Sequence, residues 1–206
     1  MKIPKLIAAT VLLLIISSCG STMKNTWTKE GYSGKNFEKI LVIGISRNVD
    51  SRTVFENTVV KLLGNKGITA HNSLEAIPPV KDITQMSKER IVAAVRDGNY
   101  DGVIVSTLLI VNSEDILQST SMGKMNYGFG GYIYSGYDTM YTPDYYREQK
   151  SYVLETRLFD ANEESAEKAL VWSGESKLTD PGTFEAAAAM YAENVVEILV
   201  NSALVK

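Results

Sequence analysis

The sequence predicts an α/β fold in which a mixed sheet packs against helices. Apolar runs at 39–45 and 103–111 have the composition of strands that are buried on both faces of a sheet. Amphipathic helical patterns separate these runs, which indicates a βαβαβ unit with right-handed crossovers. Two alternating segments at 152–159 and 169–174 then predict an antiparallel hairpin, and a C-terminal helix follows it.

The βαβαβ unit begins with the strand at 39–45. Asp50 and Ser51 are candidate N-cap residues for a helix from Arg52 to about Asn65, and a short strand follows at 68–71.

The second half of the unit starts after Pro78 and Pro79, which interrupt regular structure. Ser87 is the predicted N-cap of a helix that ends at Asp97-Gly98, and the buried strand at 103–111 follows.

The C-terminal part has a different character. An acidic turn at 160–168 joins the two hairpin strands. Asp180-Pro181 then supplies an N-cap and a proline at the first helical position. Apolar residues at helical spacing, from Phe184 to Leu199, predict a helix that reaches close to the C-terminus.

The N-terminus of the chain has the pattern of a secretion signal. Lys2 and Lys5 form a positive n-region, and the uncharged stretch 6–16 is shorter than the about 20 apolar residues of a membrane-spanning helix. The stretch ends in Ile16-Ser17-Ser18-Cys19, and Cys19 is the only cysteine. This motif resembles the lipobox of bacterial lipoproteins. The alternative is an ordinary signal peptide followed by an incidental cysteine.

The lipobox resemblance implies cleavage before Cys19, diacylation of its sulfur and commonly a further acyl chain on the new amino group. Two or more acyl chains give stable membrane attachment. We therefore expect a signal peptide at 1–18, a lipidated N-terminus and flexible tether at 19–37, and a single α/β domain at 38–206. Trp27 is an exception to the polar character of the tether, and we expect it to pack on the domain edge.

The resemblance also bears on location. No aspartate follows Cys19, which in the Gram-negative sorting rule favours the outer membrane, facing the periplasm. A Gram-positive source remains an open alternative.

Composition restricts the partners. The formal net charge is −3, so the chain lacks the basic character of a nucleic-acid-binding protein, and it has no polybasic patch for anionic lipid. Once Cys19 is lipidated, no thiol remains for a disulfide. We expect attachment to the membrane through the anchor, no nucleic-acid partner and no cofactor other than the covalent acyl chains.

A Gly/Tyr-rich insertion at about 120–147 is the compositional anomaly of the domain. It holds seven of the 11 tyrosines, and tyrosine is enriched in contact surfaces. Three interpretations stay open: a mobile insertion without a partner, a recognition loop for an envelope protein or glycan, and a membrane-inserting β-hairpin. The candidate partner-contact residues are Tyr127, Phe129, Tyr132, Tyr134, Tyr137, Tyr141, Tyr145 and Tyr146.

Catalytic patterns are weak. His71 is the only histidine, and Ser121 opens an S-x-x-K match that lacks the accompanying S-D-N and K-T-G elements. A metal cluster would need several His or Cys ligands. Glu163, Glu164 and Glu167 are typical of a hydrated acidic turn. We expect no enzymatic activity and no metal site, with a hydrolase using Ser121 or His71 as the remaining alternative.

Residues 38–200 resemble the α/β sandwich of several envelope lipoproteins. The resemblance rests on the opening strand KILVIGIS, on Phe55-Glu56 in the first helix, on Asp101-Gly102 before the third strand, and on the hairpin LETRLFDA and LVWSGES. The domain is similar to uncharacterised outer-membrane lipoproteins. It is more distantly similar to the N-terminal domain of the Tol-system translocation protein, the curli secretion channel lipoprotein and the lipoprotein activator of penicillin-binding proteins.

This resemblance implies a non-catalytic, partner-binding role. We therefore expect a lipid-anchored binding or assembly module of the cell envelope, with the Tyr-rich segment as its contact. The alternative is an oligomeric secretion or pore subunit that inserts this segment as a hairpin, although the chain lacks the two clear membrane hairpins of the curli channel.

Overall fold

The computed structural model describes residues 23–46, 48–78, 86–110, 128–141, 151–163, 165–179 and 183–206. The elements in these ranges are, in chain order, β1 (Met23–Thr28), β2 (Ile40–Ile45), α1 (Val49–Gly64), β3 (Ala70–Asn72), α2 (Lys88–Asp97), β4 (Gly102–Ile110), α3 (Phe129–Tyr141), β5 (Ser151–Asp160), α4 (Ala166–Ala169), β6 (Leu170–Thr179) and α5 (Phe184–Asn201).

The strands form one six-stranded mixed sheet in the order β1-β6-β5-β4-β2-β3. Strand β2 runs parallel to both β3 and β4, while β4-β5, β5-β6 and β6-β1 are antiparallel pairs. All six residues of β2 are buried, which explains its uninterrupted apolar sequence. The predicted α/β class is confirmed, as are the βαβαβ unit, the antiparallel hairpin β5-β6 and the C-terminal helix.

Helices cover both faces of the sheet. On the first face, α1 and α5 enclose a core that includes Phe55, Val59, Tyr191, Val195, Ile40 and Val42. On the second face, α2 and α3 enclose a core that includes Leu41, Ile43, Ile91, Val95, Tyr132 and Ile133. None of the helices in the described ranges combines the length and the apolar character that crossing a membrane requires.

Two helix starts differ from the prediction. Helix α1 is capped by Asn48, whose side chain accepts a hydrogen bond from the Ser51 backbone N–H at 2.8 Å, so it begins before the predicted Asp50 cap. Thr183 caps α5, and the predicted Asp180-Pro181 cap is wrong. Asn, Asp, Ser and Thr have similar N-cap preferences, so residue type alone does not select among neighbours of this kind.

The folded domain begins earlier in the chain than predicted. Strand β1 pairs antiparallel with β6, with Met23 opposite Ser176 and buried in the core of the first face. Phe37 is also buried, and the Tyr32 hydroxyl donates to the Leu204 carbonyl at 2.9 Å. The flexible tether expected over 19–37 is therefore wrong from Met23 onward. Backbone pairing with β6 makes β1 a strand, and its polar sequence does not reveal that pairing.

The middle of the Gly/Tyr-rich insertion is a helix. Glycines 130 and 136 lie where α3 makes its closest contacts: a Cβ on Gly130 would lie 2.6 Å from Val92 Cγ2, and one on Gly136 would lie 2.5 Å from Ile45 Cδ1. These glycines therefore permit close packing against α2 and β2. Packing here overrides the low helix propensity of glycine, and both the loop and the β-hairpin interpretations are wrong over Phe129–Tyr141.

Candidate functional site

The aromatic residues predicted to form a contact loop divide into three groups. Phe129, Tyr132 and Tyr137 are buried in the core of the second face, so the prediction that they contact a partner is wrong: their rings fill space between α3 and the sheet. Tyr134 has an exposed fraction of 36%. Outside the described residues lie the side chain of Tyr141 and all of Tyr127, Tyr145 and Tyr146. Cys19 and Ser121 also lie outside them.

A buried ion pair joins α1 to the ends of β2 and β3. Arg52 and Glu56 are one helical turn apart, with Arg52 Nε 2.8 Å from Glu56 Oε1. The same oxygen accepts hydrogen bonds from the Gly44 backbone N–H and the Ser73 hydroxyl, and Oε2 accepts from the Ser73 backbone N–H, all at 2.8 Å. Arg52 Nη2 also donates to the Ile77 carbonyl. The carboxylate is therefore fully engaged in holding the fold.

A second buried ion pair joins β5 to α3. Arg157 Nε and Nη2 both lie 2.9 Å from Glu155 Oε1, and the Tyr132 hydroxyl donates to Glu155 Oε2 at 2.7 Å. The Arg157 guanidinium stacks on the Tyr132 ring, with Cζ 4.1 Å from the centroid. Burial, followed by the Glu155 charge, raises the pKa of Tyr132 well above its ordinary value, so its hydroxyl remains a donor.

A chain of buried hydroxyls lies on the first face. Thr156 Oγ1 is 2.6 Å from both Ser106 Oγ and the Tyr191 hydroxyl. Burial raises the pKa of Tyr191, and the hydrogen bond to Thr156 opposes that shift only in part. These contacts connect α5 to β4 and β5 within the core.

His71, a candidate residue for the hydrolase alternative, is exposed on the edge strand β3. Its ring meets the Tyr100 ring edge-on, with centroids 5.9 Å apart, and Lys39 Nζ lies 4.6 Å from the Tyr100 centroid. Within the described ranges, no three His, Cys, Asp or Glu side chains converge as metal ligands would.

The part of the second face that belongs to β5, β6 and β1 carries polar side chains and becomes more exposed toward β1. Paired residues on neighbouring strands share a face, so Arg157, Ser173 and Trp27 form one row across β5, β6 and β1. Exposure increases along this row: Arg157 is buried, Ser173 is half-buried and Trp27 is 46% exposed. We call the outer part of this surface the β1–β6 face. It comprises Asn25, Trp27, Ser173 and Glu175, and Lys24 borders it.

Hydrogen bonding gives the β1–β6 face a defined geometry. A register shift between Lys24 and Trp27 places Asn25 at φ 51°, and the Asn25 side-chain amide donates to Glu175 Oε2 at 3.0 Å. The bulge and the lysine are devices that discourage another strand from pairing with an edge. What remains is an exposed indole beside an amide, a carboxylate and a hydroxyl, a combination typical of recognition surfaces.

The sequence alone does not reveal this face, because it predicts that Trp27 and its neighbours belong to the tether. The available signal was a single tryptophan within an otherwise polar stretch. Its partners Ser173 and Glu175 are brought to it only by the pairing of β1 with β6.

Comparison with protein-family models and with curated proteins finds no match for this chain. Among solved structures, it is similar to a PelC dodecamer from Paraburkholderia phytofirmans, at 12% identity and a TM-score of 0.40, over 84% of this chain and 97% of that one.

Two further solved structures are similar. A DUF4136 family protein from Bacteroides thetaiotaomicron shares 13% identity at a TM-score of 0.43, over 89% of this chain and 97% of that one. A PDZ domain protein from Parabacteroides distasonis shares 12% identity at a TM-score of 0.45, over 95% of this chain and 40% of that one. At these identities and TM-scores, the similarities carry no argument about function.

Proposed function

We propose that this protein is a lipid-anchored, non-catalytic binding module of the cell envelope, attached through Cys19 to the outer membrane and facing the periplasm. Its partner is another envelope protein, which it contacts through the β1–β6 face. The observation that carries the proposal is the 46% exposure of Trp27 on a strand that belongs to the sheet.

The energetics of Trp27 support a contact role. Burying a large apolar side chain completely contributes roughly 1.5–3 kcal/mol. About half of this gain is available to a partner, because Trp27 is 46% exposed in the domain. Pairing of β1 with β6 restrains the backbone at Trp27, so less conformational entropy is lost on binding. Tryptophan is also enriched among the residues that dominate binding energy in protein interfaces.

The shape of the face favours a protein as the partner. Small-molecule sites are concave and enclose most of their ligand. The β1–β6 face instead lies on the last two strands of the described sheet, at its β1 edge. A protein surface can cover such a face, whereas a glycan bound only here would remain largely solvated.

The buried carboxylates support the non-catalytic part of the proposal. Glu56 accepts hydrogen bonds from Arg52, Gly44 and Ser73, and Glu155 accepts from Arg157 and Tyr132. General acid–base catalysis needs a group within reach of a substrate proton, and these carboxylates are instead committed to internal contacts.

Site-specific photocrosslinking in intact cells tests the proposal. A photoreactive phenylalanine derivative replaces Lys24 in one variant and, as a control, Met190 in another. Met190 is 49% exposed on α5, which packs on the other face of the sheet. We expect an adduct with a second envelope protein from position 24 and none from position 190. We expect Trp27→Ala to weaken that adduct strongly and Met190→Ala to leave it unchanged.

Each outcome of the crosslinking has a definite meaning. Equal adducts from positions 24 and 190, or an adduct at position 24 that Trp27→Ala does not weaken, would contradict a role for the β1–β6 face. An adduct between two copies of this chain would favour the oligomeric alternative, and an adduct only with a glycan would overturn the choice of a protein partner.

A further inference from the structure

One edge of the sheet lies next to the proposed anchor. Only Gly20, Ser21 and Thr22 separate Cys19 from Met23, the first residue of β1. A fully extended chain spans at most about 3.6 Å per residue, so Met23 lies within about 14 Å of the Cys19 Cα. The anchor therefore leaves the domain little freedom to move away from the bilayer.

Strand pairing identifies which part of the domain the anchor would hold next to the bilayer. Met23 pairs with Ser176, three residues before β6 ends at Thr179. The end of β6 pairs with the start of β5, which in turn pairs with the end of β4. The start of β1 and the end of β6 thus form one corner of the sheet, which we call the anchor corner.

Two lysines occupy the anchor corner. Lys24 is opposite Glu175, and Lys177 lies two residues beyond Glu175 toward the end of β6, so both belong to the second face. Both lysines are exposed. The described residues place no carboxylate within ion-pair distance of either one.

We propose that the anchor corner rests on the membrane, with Lys24 and Lys177 contacting the phosphates of lipid headgroups. This inference rests on the proposed anchoring at Cys19. The short span to Met23 supplies the proximity, and the cationic side chains supply attraction to an anionic surface, which falls off within a Debye length. The contact orients the domain, so that the β1–β6 face, whose Trp27 is about 13 Å along β1 from Met23, stands beside the bilayer.

Fluorescence quenching on vesicles tests this orientation. The lipidated protein is reconstituted into phosphatidylethanolamine vesicles that contain phosphatidylglycerol and a headgroup-attached quencher. Because Cys19 is the only cysteine and its sulfur is acylated in the mature protein, an added cysteine is labelled uniquely. Glu185→Cys reports from the start of α5, two residues after its cap and six residues after the end of β6. Asn162→Cys reports from the other end of the strands, two residues after β5 ends.

We expect quenching at position 185 to exceed that at position 162 several-fold at low salt. Lys24→Glu with Lys177→Glu should remove most of this difference. As a matched control, the exposed lysines at the far end of α1 are changed by Lys61→Glu with Lys66→Glu, which should preserve it.

Equal quenching at positions 185 and 162 of a membrane-bound protein would overturn the orientation but not the anchor. So would a difference that survives the change of Lys24 and Lys177. A mature chain without lipid on Cys19, detected by its mass, would overturn the anchor and with it this inference. The two failures are therefore distinguishable.

Discussion

The carboxylates of Glu56 and Glu155 show how single residues hold this fold together. Each is paired with an arginine, and each accepts further hydrogen bonds, so neither ion is left uncompensated. Removing one partner of such a pair leaves the other as a buried charge without a counterion. The resulting loss of stability is larger than the net contribution of the intact pair.

Glu56→Ala should destabilise the domain by about 3–5 kcal/mol, because Arg52 would remain buried without its counterion. Urea unfolding of the purified protein measures the change. Glu163→Ala is the control, since its contact with Lys29 at 3.8 Å is partly exposed and should contribute at most about 1 kcal/mol. Similar losses for the two variants would contradict the importance of the Arg52–Glu56 pair.

Tyr191 makes the stability sensitive to alkaline pH. Its pKa in the folded state is raised above the unfolded value of about 10, so above that pH the unfolded chain releases a proton that the folded chain retains. The stabilising contribution is present at neutral pH and is lost as the pH rises. Each such proton makes the free energy of unfolding fall by about 1.4 kcal/mol per pH unit.

We therefore expect the unfolding free energy of Tyr191→Phe to fall less steeply between pH 10 and pH 12 than that of the unchanged protein, although the variant is less stable at pH 7 because it loses the hydrogen bond to Thr156. Denaturant unfolding over this pH range measures both slopes. Parallel slopes would show that Tyr191 does not carry the effect.

At the scale of elements, α3 shows how a glycine lets a helix pack closely against a neighbouring strand. Gly136 brings α3 against Ile45 of β2, where a Cβ would be too close, whereas Gly64 at the end of α1 has nothing within 4 Å of such an atom. A Cβ would thus force Ile45 Cδ1 to move at one helical position and would meet open space at the other.

Gly136→Ala should lower the unfolding free energy by about 1–3 kcal/mol, the usual cost of overpacking. Gly64→Ala should leave it unchanged or raise it by up to about 1 kcal/mol, because alanine is the better helix former. Urea midpoints of the two variants decide the comparison. A Gly136→Ala variant as stable as Gly64→Ala would mean that α3 does not pack against β2 as described.

The elements that could be predicted are those in which the pattern of apolar residues follows directly from burial. Strands β2 and β4 are apolar because helices cover both their faces, and α2 begins at the predicted cap Ser87. Strand β1 and helix α3 could not be predicted, because each depends on a partner that is distant in sequence. Strand β1 depends on its pairing with β6, and α3 depends on close packing against α2 and β2. The β1–β6 face was missed for the same reason, since it exists only after β1 joins the sheet.

At the scale of the whole molecule, the folded domain begins within four residues of the proposed lipid site. If lipid on Cys19 holds the domain as proposed, the domain samples partners near the membrane surface, which raises their effective concentration. The proposed membrane attachment and β1 therefore belong to the same short stretch of chain.

Cys19→Ala should release a folded, soluble domain, because the charged side chains of the anchor corner are too few to retain it without acyl chains. Fractionation of cell lysates and limited proteolysis measure location and folding. The matched change Ser21→Ala should leave the protein in the membrane fraction. Tight membrane association of the Cys19→Ala variant would contradict anchoring by lipid.

The most direct test of the central claim is the mass of the N-terminal peptide of the mature protein, isolated from membranes. We predict a peptide that begins at Cys19 and carries a diacylglyceryl group on its sulfur. A mature chain that begins elsewhere, or that retains an unmodified Cys19 thiol, would contradict the claim that lipid holds this domain at the membrane.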